Sequence, residues 1–252
     1  MSGLNLVPSG AGAVMASRRE PPDSLDYFPT PPWATRALFR HVLPALGVEA
    51  IDNVWEPACG EGQMAEVIAE FANGQVVASD VFDYGHGQTP VDFLHDQLLI
   101  KPDWVITNPP FALLCEFALR ALDIATEGVA LLARTQAIEG KERFEKMFRN
   151  QPPALFAPFV ERVPMVKGRW DPDASTATSY AWLVWTMNGR TATRVFWIPP
   201  GCRNALSRPD DRKRFAAWSL APVEVPLFDP PRAESRVEDI AHQQSLIAKK
   251  PA

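Results

Sequence analysis

Short, largely apolar runs alternate with segments of helical spacing through the middle of the chain. Ile51–Glu56, Gln75–Ser79, Asp103–Thr107 and Val129–Ala133 read as strands bounded by Gly, Pro, Asp or Asn, and Val91–Leu94 as a short additional one. Between them, Gln63–Phe71 places Ala65, Ile68 and Ala69 on one helical face. Leu113–Ala125 does the same with Phe117, Leu119, Ala121 and Leu122, and Glu139–Arg149 is amphipathic. A further helix is expected over 33–46, where Trp33, Ala37, Leu38, Val42 and Leu46 share a face and Pro44 should end or kink it. Alternating strands and helices imply an α/β fold with a doubly wound, Rossmann-like parallel sheet. Later the rhythm changes. Ala154–Val160, Tyr180–Thr186 and Arg194–Ile198 read as strands with no helix between them, which predicts an antiparallel edge. The polar, turn-rich segment 168–179 between the first two is long enough to suggest a functional loop.

The ends differ from this core. Residues 1–24 are rich in Gly, Ser, Ala and Pro without a period and read as a flexible tail. Residues 25–200 form the expected domain. Residues 201–252 carry many Pro and charges and read as a partly disordered extension, with Ala233–Ala252 at most a weakly held helix. Hydrophobic residues make up 46% of the 252, so a packed core is expected and wholesale disorder is excluded. Eight Trp and fourteen Phe supply bodies for a core or for stacking on bases. Three widely spaced cysteines (Cys59, Cys115, Cys202) form neither a disulfide framework nor a zinc pattern, so no metal is expected and a reducing cytoplasm fits. No apolar run reaches the length of a membrane span, and no signal segment is evident.

Charge changes the picture through its distribution. The formal total is −5, which does not favour a polyanion as partner. Arg190, Arg194, Arg203, Arg208, Arg212, Lys213 and Arg214 nevertheless crowd one late stretch, and further Arg and Lys between 134 and 169 are diluted by Glu. These are either solvated faces or phosphate contacts.

In an open α/β sheet, ligands bind beyond the carboxyl ends of the strands. After the first expected strand comes EPACGEG (56–62), where Gly60 and Gly62 permit a tight turn into a helix whose free N–H groups face a ligand. A helix start needs no ligand to explain such a turn. After the second strand stands Asp80, able to accept both hydroxyls of a ribose or to cap a helix. Then comes DFL (92–94), where Asp92 could accept from an adenine amine and Phe93 could lie on the purine face.

NPPF (108–111) is the sharpest signal. Two consecutive prolines force a stiff extended turn. The Asn108 oxygen and the Pro109 carbonyl then become fixed acceptors at the sheet edge. An exocyclic base amine has two N–H donors and a delocalised lone pair, so two fixed acceptors favour its pyramidal, nucleophilic form. Pro110 stiffens the turn, and Phe111 offers a wall for a base.

Together these residues resemble the amino-methyltransferases that act on nucleic-acid bases, above all the DNA adenine-N6 enzymes, in the γ-like motif order and the single-domain form found in phages. EPACGEG is similar to their cofactor loop, DFL to their adenine contact, NPPF to their catalytic turn, and FPTPP (28–32) to the element before the sheet. The resemblance covers about residues 26–135 and implies S-adenosyl-L-methionine as cofactor, with Thr30, Glu56, Ala58, Gly60 and Gly62 at its methionine end. It further implies Asp80 on the ribose, Asp92 and Phe93 on the adenine, and Asn108, Pro109, Pro110 and Phe111 as the catalytic turn. The implied partner is a nucleic acid, DNA before RNA, with the base flipped out of any duplex. No obligate protein partner is evident. Cytosine N4, RNA adenine and protein glutamine remain alternative acceptors, as does a non-catalytic binding module. Residues 168–179 and 190–214 are the expected phosphate contacts.

Overall fold

A computed structural model describes residues 26–97, 99–187 and 192–215 of the chain. The expected tail at 1–24 and the segment 233–252 lie outside the described residues. Seven strands form one sheet: β1 (Val54–Glu56), β2 (Val76–Ala78), β3 (Trp104–Thr107), β4 (Gly128–Arg134), β5 (Leu155–Pro158), β6 (Tyr180–Thr186) and β7 (Arg194–Val195). Their spatial order is β2-β1-β3-β4-β6-β5-β7. The order reverses between β1 and β3, which places a ligand crevice there. Both β1 and β4 pair with β3 in parallel.

Side-chain alternation explains why both faces are covered. Trp104, Ile106, Ala130, Leu132, Trp182 and Val184 join one core with Trp33, Leu38 and Ile68. Val105, Val129, Leu131, Leu183 and Trp185 join the other with Phe117 and Met147. Successive strand residues point to opposite sides, so a sheet apolar at every position must be clad twice. Helices α1 (Pro32–Ala37) and α2 (Gln63–Ile68) clad one face. Helix α3 (Leu114–Ile124) and the segment of α4 (Lys141–Arg143, continued by a π-helical turn at Phe144–Phe148) clad the other. The expected doubly wound α/β fold is therefore the one observed.

Helix α1 continues through a π-helical turn at Leu38–Val42 into Leu43–Ala45 and ends there, one residue past Pro44, where the end was expected. Pro44 has no N–H to give, and the wider turn lies immediately before it. Two details differ from expectation. Val91–Leu94 is not a strand. Asp92 accepts from the Leu94 N–H and Asp96 from the Asp92 N–H, so local carboxylates turn the backbone back on itself. The antiparallel strand is β6, and it lies inside the sheet between β4 and β5, whereas β7 runs parallel to β5.

Residues 201–215, read as the start of an extension, form α5 (Cys202–Leu206) and α6 (Asp211–Phe215). Arg36 of α1 holds them. Its guanidinium uses all five N–H groups, on both oxygens of Glu70, both oxygens of Asp211 and the Leu206 carbonyl. Among the described residues no helix is long and apolar enough to cross a membrane.

Candidate active site

The carboxyl ends of β1 and β3 open on a cavity of about 330 Å³. That size suits a nucleoside-sized ligand, since small-molecule sites run from roughly 300 to 1,000 Å³. Thr30, Glu56, Ala58, Asp80, Asp92, Phe93, Asn108 and Pro110 all line it. Gly60, Gly62, Pro109 and Phe111 do not, although Cys59 and Gln63 bring the glycine turn to its wall.

The glycine turn is tight for a visible reason. Gly60 and Gly62 have φ of 52° and 86°, the left-handed region that L side chains avoid. The Tyr27 ring lies where a Gly60 side chain would project. Asp80 clamps the same turn: its Oδ2 accepts the Gly60 N–H at 2.9 Å and its Oδ1 accepts the Phe82 N–H at 3.0 Å. No helix follows Asp80, so the capping alternative does not apply to it. Burial pushes its carboxyl above the usual range, against the backbone N–H groups that hold it down.

Glu56 is 2% exposed. Its Oε2 is buried with no hydrogen-bond partner among the described residues. Burial, reinforced by the charge of Asp80, raises this carboxyl well above the ordinary range. Asp26, Glu56, Asp80 and Asp92 put four acids on the cavity wall, with His95 the single cationisable side chain among the lining residues. His95 is engaged on Asp92, 2.8 Å from its Oδ2. Phe93 is 2% exposed and packs against Trp55 and Phe117, so its ring belongs to the core as well as to the cavity wall.

Asn108 is oriented by the segment that crosses it. Its Nδ2 donates to the Phe28 carbonyl at 2.9 Å and to the Thr30 hydroxyl at 3.1 Å. Two acceptors on the nitrogen fix which end of the amide is which. The Oδ1 is left buried without a partner. An unpaired buried acceptor is costly, and such atoms mark places where a ligand group completes the set. The same segment ties the two turns together. Asp26 accepts the Phe111 N–H at 2.6 Å, and the Tyr27 hydroxyl accepts the Glu61 N–H at 3.2 Å. Sequence reasoning found Thr30 here but missed Asp26 and Tyr27, whose roles depend on contacts across many tens of positions and leave no spacing signal.

Phe111 faces away from this cavity. The Arg134 guanidinium lies over its ring at 3.9 Å, and the Phe28 and Tyr180 rings lie beside it. Five arginines of the late basic stretch are turned onto their own chain: Arg208 and Arg214 on Glu70, Arg212 on Asp173, Arg203 on the Pro172 carbonyl and Arg194 on the Ala45 carbonyl, while Arg190 lies outside the described residues. In the loop 168–179, Trp170 is buried against Val67 and Phe215. Among the described residues there is no cluster that would hold a metal ion.

No family model matches the chain, and no curated protein matches it in sequence. Solved structures do match in fold. A candidate RNA methyltransferase of Pyrococcus horikoshii is 18% identical over 67% of this chain and 90% of its own, with a TM-score of 0.45. A candidate hemolysin of Lactococcus lactis is 13% identical over 71% and 96%, with a TM-score of 0.43. The magnesium protoporphyrin IX methyltransferase of Synechocystis PCC 6803, solved with bound SAM, is 16% identical over 62% and 78%, with a TM-score of 0.37. These are likenesses of fold.

Proposed function

We propose that the protein is an S-adenosylmethionine-dependent methyltransferase acting on the exocyclic amine of a nucleic-acid base, with adenine N6 in DNA as the leading acceptor. The observation that carries this reading is the unpartnered Asn108 Oδ1 on a cavity that extends to Asp80 and the glycine turn. The cofactor suits the wall. S-Adenosylmethionine carries a sulfonium and an ammonium, and four acids line the space, among them Glu56, whose Oε2 has no partner among the described residues. Asp80 would hold the ribose, Asp92 and Phe93 the adenine, and Thr30, Glu56 and Ala58 the methionine end.

The bound cofactor would supply an electrophilic methyl group. The chain's own residues orient the acceptor. Asn108 Oδ1 and the Pro109 carbonyl accept the two N–H groups of the amine, which keeps its lone pair out of the ring and aimed at the methyl carbon. Pro109 and Pro110 keep those acceptors still, so little reorganisation is left for the reaction itself. No residue need form a covalent bond, and the buried thiols Cys59 and Cys115 take no part.

The test is incubation with cofactor labelled in its methyl group and with DNA, RNA or protein, followed by mass spectrometry of the nucleosides and amino acids. N6-methyladenine from DNA is the expected product. Label in RNA alone would move the substrate but keep the chemistry. Label in glutamine alone would overturn the nucleic-acid reading.

A further inference from the structure

The two prolines that stiffen the Asn108–Phe111 turn also strip it of donors. Pro109 and Pro110 have no N–H, so Phe111 carries the first backbone N–H after Asn108. Asp26 takes that N–H. Its Oδ2 accepts at 2.6 Å, a charge-assisted bond between residues 85 positions apart. Asp26 and Asn108 line the same cavity. The next residue, Tyr27, holds the opposite turn. Its hydroxyl accepts the Glu61 N–H at 3.2 Å, its ring lies where a Gly60 side chain would project, and the Tyr84 ring centre is 4.4 Å away. Its carbonyl accepts the Gly168 N–H at 2.9 Å. The Phe28 carbonyl and the Thr30 hydroxyl then hold the Asn108 amide. Residues 26–30 are thus a strap between the glycine turn and the catalytic turn.

We propose that Asp26 is a positioning residue for methyl transfer: its bond to the Phe111 N–H sets how far the catalytic turn stands from the turn that Tyr27 holds. The proposal rests on the amino-methyltransferase reading above and goes beyond the residues named there. The transfer forms a C–N bond as a C–S bond breaks, with the surplus proton of the nitrogen passing to water. Nitrogen, carbon and sulfur must therefore stand in line, and a misplacement of about 1 Å costs about a hundredfold. The prolines keep the turn's shape but not its place. The Pro109 carbonyl, the second acceptor of the amine, lies between two fixed points, the Asn108 amide and the Phe111 N–H. Loss of the second point lets that carbonyl drift while Asn108 stays held by Phe28 and Thr30.

The test compares the parent with Asp26→Ala and with Asp26→Asn, which keeps an oxygen where the carboxylate stood. Transfer to an adenine-containing DNA duplex of mixed sequence is measured with methyl-labelled cofactor, cofactor affinity by calorimetry, and hydrogen exchange of the Phe111 amide by NMR of protein labelled with 15N-phenylalanine. In Asp26→Ala the Phe111 amide should exchange at least about tenfold faster without any ligand present. Its kcat should fall about tenfold to a hundredfold, with KM and cofactor affinity within about threefold of the parent. Asp26→Asn should restore most of both the exchange protection and kcat. Parent-like kcat in Asp26→Ala, or a Phe111 amide that exchanges as in the parent, overturns the positioning role and leaves the enzyme reading standing. So does a fall in kcat that Asn does not restore and that lost cofactor affinity and a lower melting temperature accompany, for Asp26 is then a structural residue only. If the parent transfers no label to DNA, RNA or protein, the amino-methyltransferase reading falls and the positioning role with it.

Discussion

Thr30 and Asn108, 78 positions apart, meet through a hydrogen bond of 3.1 Å in which the Asn108 amide nitrogen donates to the Thr30 hydroxyl. With the Phe28 carbonyl taking the other proton, the amide cannot flip, and its oxygen is the group left for a ligand. A threonine that looks like one more contact of the cofactor thus has a second use, as the orienting partner of the catalytic turn.

Asn108→Ala is therefore expected to reduce transfer by a factor of about 10² to 10³ or more, the range for losing one preorganised polar group. Cofactor affinity should stay within about threefold. Thr30→Val keeps the shape of the side chain and removes the acceptor. It should lower kcat by about tenfold with less effect on KM. Single-turnover rates at saturating cofactor would measure both, and parent-like rates in Asn108→Ala would remove Asn108 from the chemistry.

Asp80 serves the cofactor and the turn at once, since its two oxygens accept from Gly60 and Phe82. Asp80→Asn keeps an acceptor for the turn but loses the charge. Cofactor dissociation should rise at least about tenfold, close to 1.4 kcal/mol, while the far-ultraviolet spectrum stays unchanged. Calorimetry showing the parent's affinity would leave Asp80 with a structural part only.

Much of this arrangement could be read before any coordinates. The strands are apolar at nearly every position, and only a sheet clad on both faces accommodates that pattern, so Trp104–Thr107 and Gly128–Arg134 were legible to within a residue or so. Asn108 stood out because two prolines after an asparagine constrain the chain by sterics alone. Val91–Leu94 misled because its apolar residues are the same in a strand as in a turn. What decided between them was Asp96 reaching back to the Asp92 N–H, a contact without a periodic signature. The late arginines misled for a related reason. A run of like charge shows its density in sequence but not its partners, and Glu66, Glu70 and Asp173 lie far from them along the chain.

Glu56 couples the cavity to pH. Its folded carboxyl titrates well above the ordinary range because it is buried near Asp80. The folded state therefore holds a proton that the unfolded chain has already released. The stability this gives is complete below the ordinary carboxyl range and is lost as pH rises through the folded value. Glu56→Gln removes the penalty and should raise the melting temperature at neutral pH by about 2–4 °C, what roughly 1 kcal/mol yields in a domain of this size. The same change should weaken cofactor binding. A cationic ligand favours the ionised carboxyl, so binding by the parent releases a proton and tightens as pH rises. Calorimetry in buffers of different ionisation enthalpy detects that proton, and the Gln variant should lose it.

Arg36 tests how α5 and α6 are held. Arg36 is 2% exposed, and its guanidinium joins Glu70 and Asp211 through charge-assisted bonds of 2.7–3.0 Å. Burial alone would draw its pKa down, but the two carboxylates reverse that and hold it above its usual value. Burial likewise opposes Glu70, yet Arg36 and Arg214 hold its carboxyl below the ordinary range. Stability from Glu70 is thus present above that range and is lost as pH falls through its lowered value. Removing one member of a buried network strands the others. Arg36→Met should cost about 3–5 kcal/mol and lower the melting temperature by about 10 °C or more. Glu70 keeps Arg208 and Arg214, so the stranded acid is Asp211, and adding Asp211→Asn should recover part of the loss. If the single and double variants melt together, the cost of Arg36→Met is lost packing, and the ion pair with Asp211 is not what fastens α6 to α1.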